Sequence, residues 1–66
     1  MTITLNGERR EILQATNVAE LIEELALPAP ATLVEQNGLA LRREEWPTRA
    51  LTEGDRIELV RIVAGG

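Results

Sequence analysis

Apolar and polar residues alternate with period two along Met1-Thr2-Ile3-Thr4-Leu5, the pattern of a strand with one buried face. Asn6-Gly7 follows. Both residue types tolerate the positive φ of a tight hairpin turn, so Glu8 to Leu13 reads as the return strand. Its first half, Glu8-Arg9-Arg10-Glu11, is fully charged and suits an exposed ribbon. The period then changes. Asn17 is placed to cap a helix, with Glu20 three residues on, close to capping-box spacing. Val18, Leu21, Ile22 and Leu25 fall at i, i+3, i+4 and i+7 and share one helix face. Glu20, Glu23 and Glu24 take the wet face, early enough to suit the helix dipole. Pro28 and Pro30 are expected to stop the helix and stiffen the connection after it.

Thr32 to Gln36 reads as a strand, Asn37-Gly38 as a second hairpin turn, and Leu39 to Leu41 as its partner. Arg42 to Pro47 is a charged, Trp-containing bend with room for one short helical turn. Glu53-Gly54-Asp55 is a turn, and Arg56 to Val63 is the last strand. This order predicts a two-layer α+β domain, a mixed sheet with one main helix packed on one face, and a right-handed strand–helix–strand crossover. In the last strand Ile57 and Leu59 share one side, and Glu58, Val60 and Ile62 the other. With Ile57 and Leu59 toward the helix, Val60 and Ile62 come to the uncovered face, with Val63 beside them. There they read as a docking surface, or simply as the β-branched residues that strands favour.

Composition narrows the picture. At 66 residues the chain is one small domain. It has neither Cys nor His, so disulfides are excluded and Leu, Ile and Val must supply the core. Trp46, the only aromatic, reads as cover for one end of that core rather than as a partner anchor. The net charge of −4 weighs against nucleic acid and against anionic membranes, and fits a basic or mixed protein partner. No apolar run is long enough to span a bilayer and the start lacks a signal-peptide pattern, so a cytoplasmic setting is expected. Every positive charge is Arg, which leaves no lysine for isopeptide or Schiff-base chemistry. No nucleophile–base pair, phosphate-cradling loop or metal-ligand set stands out. No catalytic residue, metal or cofactor is assigned to this chain.

The chemistry is instead expected at Ala64-Gly65-Gly66. Two terminal glycines arise by composition alone in roughly 0.5% of chains, so the ending asks for a reason. A strand running into this tripeptide holds the Gly66 carboxylate on a thin arm. Glycines lack Cβ, pass narrow channels and extend freely. The expected division is a folded domain over 1–62 and a flexible diglycine tail over 63–66. Ala64, Gly65 and Gly66 would thread into a partner's active site, with Gly66 as the modified residue. A frayed end is the bland alternative.

Several segments together carry a family resemblance. They are Leu5-Asn6-Gly7-Glu8, Asn17-Val18-Ala19-Glu20-Leu21-Ile22, Val34-Glu35-Gln36-Asn37-Gly38, Leu41-Arg42-Arg43-Glu44-Glu45-Trp46, Leu51 to Val60, and Val63-Ala64-Gly65-Gly66. In this order and spacing the chain resembles the ThiS family, sulfur carriers of thiamine biosynthesis within the ubiquitin-like ThiS/MoaD group. The resemblance covers essentially the whole length. One departure is Arg42, where many relatives have Pro. The resemblance implies a ubiquitin-like β-grasp fold. It also implies that an E1-like adenylyltransferase of the ThiF type uses Mg-ATP to adenylylate Gly66. Sulfur supplied through a cysteine desulfurase then gives a thiocarboxylate, and thiazole synthase of the ThiG type consumes that sulfur. ATP and Mg belong to the activating partner. Carriers for molybdopterin or tRNA thiolation share these features. A plain ubiquitin-like interaction module and a protein modifier are readings of a different class.

Overall fold

The computed structural model describes residues 1–63. Ala64, Gly65 and Gly66 lie outside the described residues. Strand β1, Thr2–Leu5, turns back through Asn6-Gly7 into β2, Glu8–Glu11. Helix α1, Val18–Glu24, is followed by a 3-10 turn at Ala29–Ala31, by β3, Thr32–Gln36, and by β4, Leu39–Leu41. A 3-10 helix over Arg43–Thr48 and strand β5, Arg56–Arg61, complete the described chain. The strands form one mixed sheet in the order β2-β1-β5-β3-β4, with β1 and β5 parallel and the other pairs antiparallel. This is the expected β-grasp arrangement, with the last strand at the centre.

Both Asn-Gly turns form as the dipeptides predict, with Asn6, Gly7, Asn37 and Gly38 all at positive φ. The helix face predicted from spacing is the buried one: Val18, Leu21 and Ile22 pack with Ile3, Val34, Ile57 and Trp46 in a single core. A helix of 7 residues has little intrinsic stability, so this packing and its caps hold it. At the N-terminus the Asn17 side chain accepts the Glu20 N–H at 2.8 Å. The reciprocal half of the box is displaced by one residue, because the Glu20 carboxylate takes the Thr16 N–H and hydroxyl, both at 2.7 Å. Trp46 is buried, in line with its reading as core cover.

The structure departs from the sequence pattern at four places. The helix does not run to the prolines. It stops at Glu24 because Ala26 adopts the left-handed conformation, φ +56°, with Leu27 N–H donating to Ile22 C=O and Ala26 N–H to Glu23 C=O. That pair of bonds is a Schellman closure, usually built on Gly. The return strand ends at Glu11 rather than Leu13: Ile12 still exchanges backbone bonds with Met1, at 2.7 and 3.1 Å, but Leu13 is exposed and its N–H turns to the Glu24 carboxylate. The last strand ends at Arg61 rather than Val63, where its register with Thr32 ends. Glu20 and Glu24 are also more than a wet face. The Glu24 carboxylate accepts three successive N–H groups, from Leu13, Gln14 and Ala15, at 2.8–3.0 Å. Those bonds hold its carboxyl below the usual carboxylate range. Arg42, the family departure, opens the second 3-10 helix by donating its N–H to Glu45 at 2.8 Å, a bond proline could not make. No helix among the described residues is long and apolar enough to cross a membrane.

Candidate functional site

The site is built around β5, because this strand leads directly to residues 64–66. Its backbone is held on both flanks by the side chains of the two turn asparagines. Asn6 Oδ1 accepts the Leu59 N–H at 2.7 Å, and the Asn6 N–H donates to Ile57 C=O at 2.9 Å. Opposite, Asn37 Oδ1 accepts the Arg56 N–H at 2.8 Å, and the Asn37 N–H donates to Arg56 C=O at 2.7 Å. Each asparagine thus serves its own turn and also clamps β5.

The start of β5 is fixed by Asp55. Its carboxylate accepts hydrogen bonds from Asn37 Nδ2 at 3.0 Å, Gln36 Nε2 at 3.1 Å and the Thr52 N–H at 2.9 Å. Burial pushes this carboxyl up, but the bonds from Asn37, Thr52 and Gln36 outweigh it and keep it below its ordinary value. An ionised, fully bonded acid therefore pins the second hairpin to the base of the working strand.

Alternation along β5 divides its side chains as expected. Ile57 is fully buried under α1, and Leu59 packs partly against the core. On the helix-free side Val60 is 58% exposed and Ile62 49%, and Val63 beyond the strand is 81% exposed. Register adds a residue that the sequence alone did not single out. Leu33 of β3 lies directly opposite Val60 and is 53% exposed. Its alternation in β3 was legible, but its meeting with Val60 depends on a strand pairing that no local pattern announces. Ile62 stays tied to the sheet, its N–H donating to Ala31 C=O at 2.7 Å. The outer face therefore carries an apolar patch, Leu33, Val60 and Ile62, at the end of the sheet from which residues 64–66 depart. The predicted threading residues Ala64, Gly65 and Gly66 lie outside the described residues.

Comparisons with known proteins agree with this architecture. The ThiS family profile matches residues 3–66. The sulfur carrier protein ThiS of Escherichia coli K12 is 29% identical over 66 residues, covering all of both chains. The sulfur carrier protein ThiS of Thermus thermophilus is 34% identical over 64 residues, covering 97% of this chain and 98% of that one. A thiazole synthase of Paramagnetospirillum magneticum is 29% identical over 66 residues, but this chain spans only 20% of its length. The crystal structure of a thiamine biosynthesis protein, ThiS, from Geobacter metallireducens superposes with a TM-score of 0.86 at 33% identity over the full length of both chains.

Proposed function

This chain belongs to the ThiS family of sulfur carriers, and we propose that it carries sulfur for thiazole formation on the carboxyl group of Gly66, with the folded domain serving only to present that group. A free carboxylate resists nucleophiles, because its charge repels them and its oxygen is a poor leaving group. It must be activated by another protein. In this reading an E1-like adenylyltransferase joins Gly66 to AMP at the expense of Mg-ATP. The outer sulfur of a persulfide, supplied through a cysteine desulfurase, displaces AMP to give an acyl disulfide, and a second thiol then forms a disulfide with the inner sulfur and releases the thiocarboxylate. Thiazole synthase then takes the sulfur and releases the carboxylate. The carrier is a co-substrate of these enzymes and contributes no catalytic side chain.

The observation that carries the reading is the coincidence of two ends. The family match runs through residue 66, and the sheet's central strand is the element that leads there. Val60, Ile62 and Val63 support it, because exposed apolar groups beside the departure point can offset the entropy of ordering the tail, about 1–2 kcal/mol per residue. Ala64, Gly65 and Gly66 are the residues assigned to the partner's channel. The relative that joins a similar segment to a thiazole synthase supports that enzyme as the acceptor.

Intact-mass measurement tests the proposal. Incubation with ATP, the adenylyltransferase and a sulfur source is expected to replace one oxygen with one sulfur, and fragmentation should place the change at Gly66. Deleting Gly66 should abolish it. An unchanged mass with enzymes that modify a known carrier would sink the proposal.

A further inference from the structure

The outer sheet face has a layered charge pattern. Register places four successive rungs across β5 and β3: Arg56 beside Asn37, Glu58 opposite Glu35, Val60 opposite Leu33, and Ile62 beside Ala31. The second rung is unusual. Two carboxylates face each other directly across an antiparallel pair, where Cα atoms lie about 5.5 Å apart. Like charges so placed oppose folding. Beyond Glu35 the rung continues to Ala40 of β4, which brings no cation. Arg56 lies two residues from Glu58 on the same face, yet among the described residues neither Glu35 nor Glu58 has an ion-pair partner. The acidic rung therefore has no direct ion-pair partner among the described residues, Arg56 being its nearest cation on that face, and it borders the apolar rung of Leu33 and Val60.

Chain length restricts what can lie against this face. From Val63 to Gly66 is three residues, so a fully extended arm reaches about 11 Å. An enzyme that encloses Gly66 must come close to Ile62 and Val63, and a surface of ordinary size then extends over Val60, Leu33 and the acidic rung. We propose that this face seats thiazole synthase, and that the Glu35–Glu58 rung receives an arginine or lysine of that enzyme while Leu33, Val60 and Ile62 pack against apolar groups around it. The inference rests on the carrier reading above and adds the chemistry of the contact. Its grounds are the acidic rung beside the apolar patch on this chain and the relative in which such a segment is part of a thiazole synthase. Two close carboxylates that repel in the free carrier gain most from one shared cation, so the rung selects a basic partner and speeds encounter at low salt.

The test titrates purified thiazole synthase from the same organism with the full chain and with the double variant Glu35→Gln/Glu58→Gln. The wild-type chain is expected to bind more weakly as salt rises. The double variant should bind about tenfold more weakly at low salt, with a flatter salt dependence, and should melt at a higher temperature because the repulsion is gone. Leu33→Ser/Val60→Ser should weaken binding while leaving the salt dependence intact. Equal affinity of the wild type and the double Gln variant overturns the inference, as does a double Gln variant that melts lower. Wild type that fails to bind the synthase overturns it too. A wild-type chain that takes up sulfur at Gly66 yet shows any of these results removes only this inference, whereas one that never takes up sulfur removes the carrier reading itself.

Discussion

Ala26 holds the closing position of α1 at φ +56°. In the left-handed region an L-residue bears a contact between its Cβ and the following carbonyl, at a cost of about 1–2 kcal/mol. Glycine has no such contact. Replacing Ala26 with Gly removes the clash and keeps both closing bonds, Leu27 N–H to Ile22 C=O at 3.1 Å and Ala26 N–H to Glu23 C=O at 2.9 Å. The methyl group lost is exposed and packs on nothing in the core. Against the gain stands the greater freedom of glycine in the unfolded chain, about 0.4–1 kcal/mol. The net expectation for Ala26→Gly is a stabilisation of about 0.5–1 kcal/mol. For a domain of this size that raises Tm by about 2–8 °C. Thermal melts give the shift, and urea titration should show a higher midpoint with the same m-value. Ala19→Gly, in the first turn of the same helix and partly packed on the core, is the contrasting change and should lose up to about 1 kcal/mol. An Ala26→Gly protein that melts at or below the wild-type temperature would refute the reasoning, because the closure would then not be the strained element described.

Two further predictions concern the acids that organise the fold. Asp55→Asn replaces a full acceptor with a group that presents N–H toward Asn37, Gln36 or Thr52, and should cost about 2 kcal/mol by chemical denaturation; a change under 0.5 kcal/mol would show that the network is dispensable. Glu24 and Asp55 both have folded-state carboxyls below their ordinary values, 4.5 and 3.8, so their stabilisation is present above those values and disappears as pH falls through the lower folded ones. Tm should therefore hold level from neutral pH to about 5 and drop below about 4, and Glu24→Gln should lower Tm at pH 7 with a smaller difference from wild type at pH 3. A difference that is the same at both pH values would mean that the charge on Glu24 contributes nothing to holding the Leu13–Ala15 segment.

The hairpins and the buried helix stripe were legible because they are local. Asn-Gly states its own turn, and Val18, Leu21 and Ile22 state their face through spacing. What escaped involves partners distant in sequence. Asn6 announces a turn, but its side chain bonds Leu59, 53 positions away. Glu24 looked like a solvated residue because its partners are backbone N–H groups of Leu13, Gln14 and Ala15, which carry no side-chain signal. The helix stop at Ala26 is hidden because alanine gives no hint of a left-handed conformation where glycine would. The strand ends at Glu11 and Arg61 are hidden because Leu13 and Val63, apolar residues with strand propensity, do not reveal where pairing stops. At the candidate site, alternation was enough to expose Val60 and Ile62. Leu33 and the Glu35–Glu58 rung required the register.

The central position of β5 has a mechanical consequence. An edge strand tugged from its end can peel away one bond at a time, like a zip. The part of β5 gripped on both flanks, Arg56 and Ile57 between β1 and β3 with Leu59 held by Asn6, must instead slide and break several bonds at once, whereas Val60 to Ile62 are tied on the β3 side alone. In the carrier reading, an enzyme that closes on residue 66 and is later pulled off would load the singly held end of this strand first, and the doubly held segment behind it would take the load in shear.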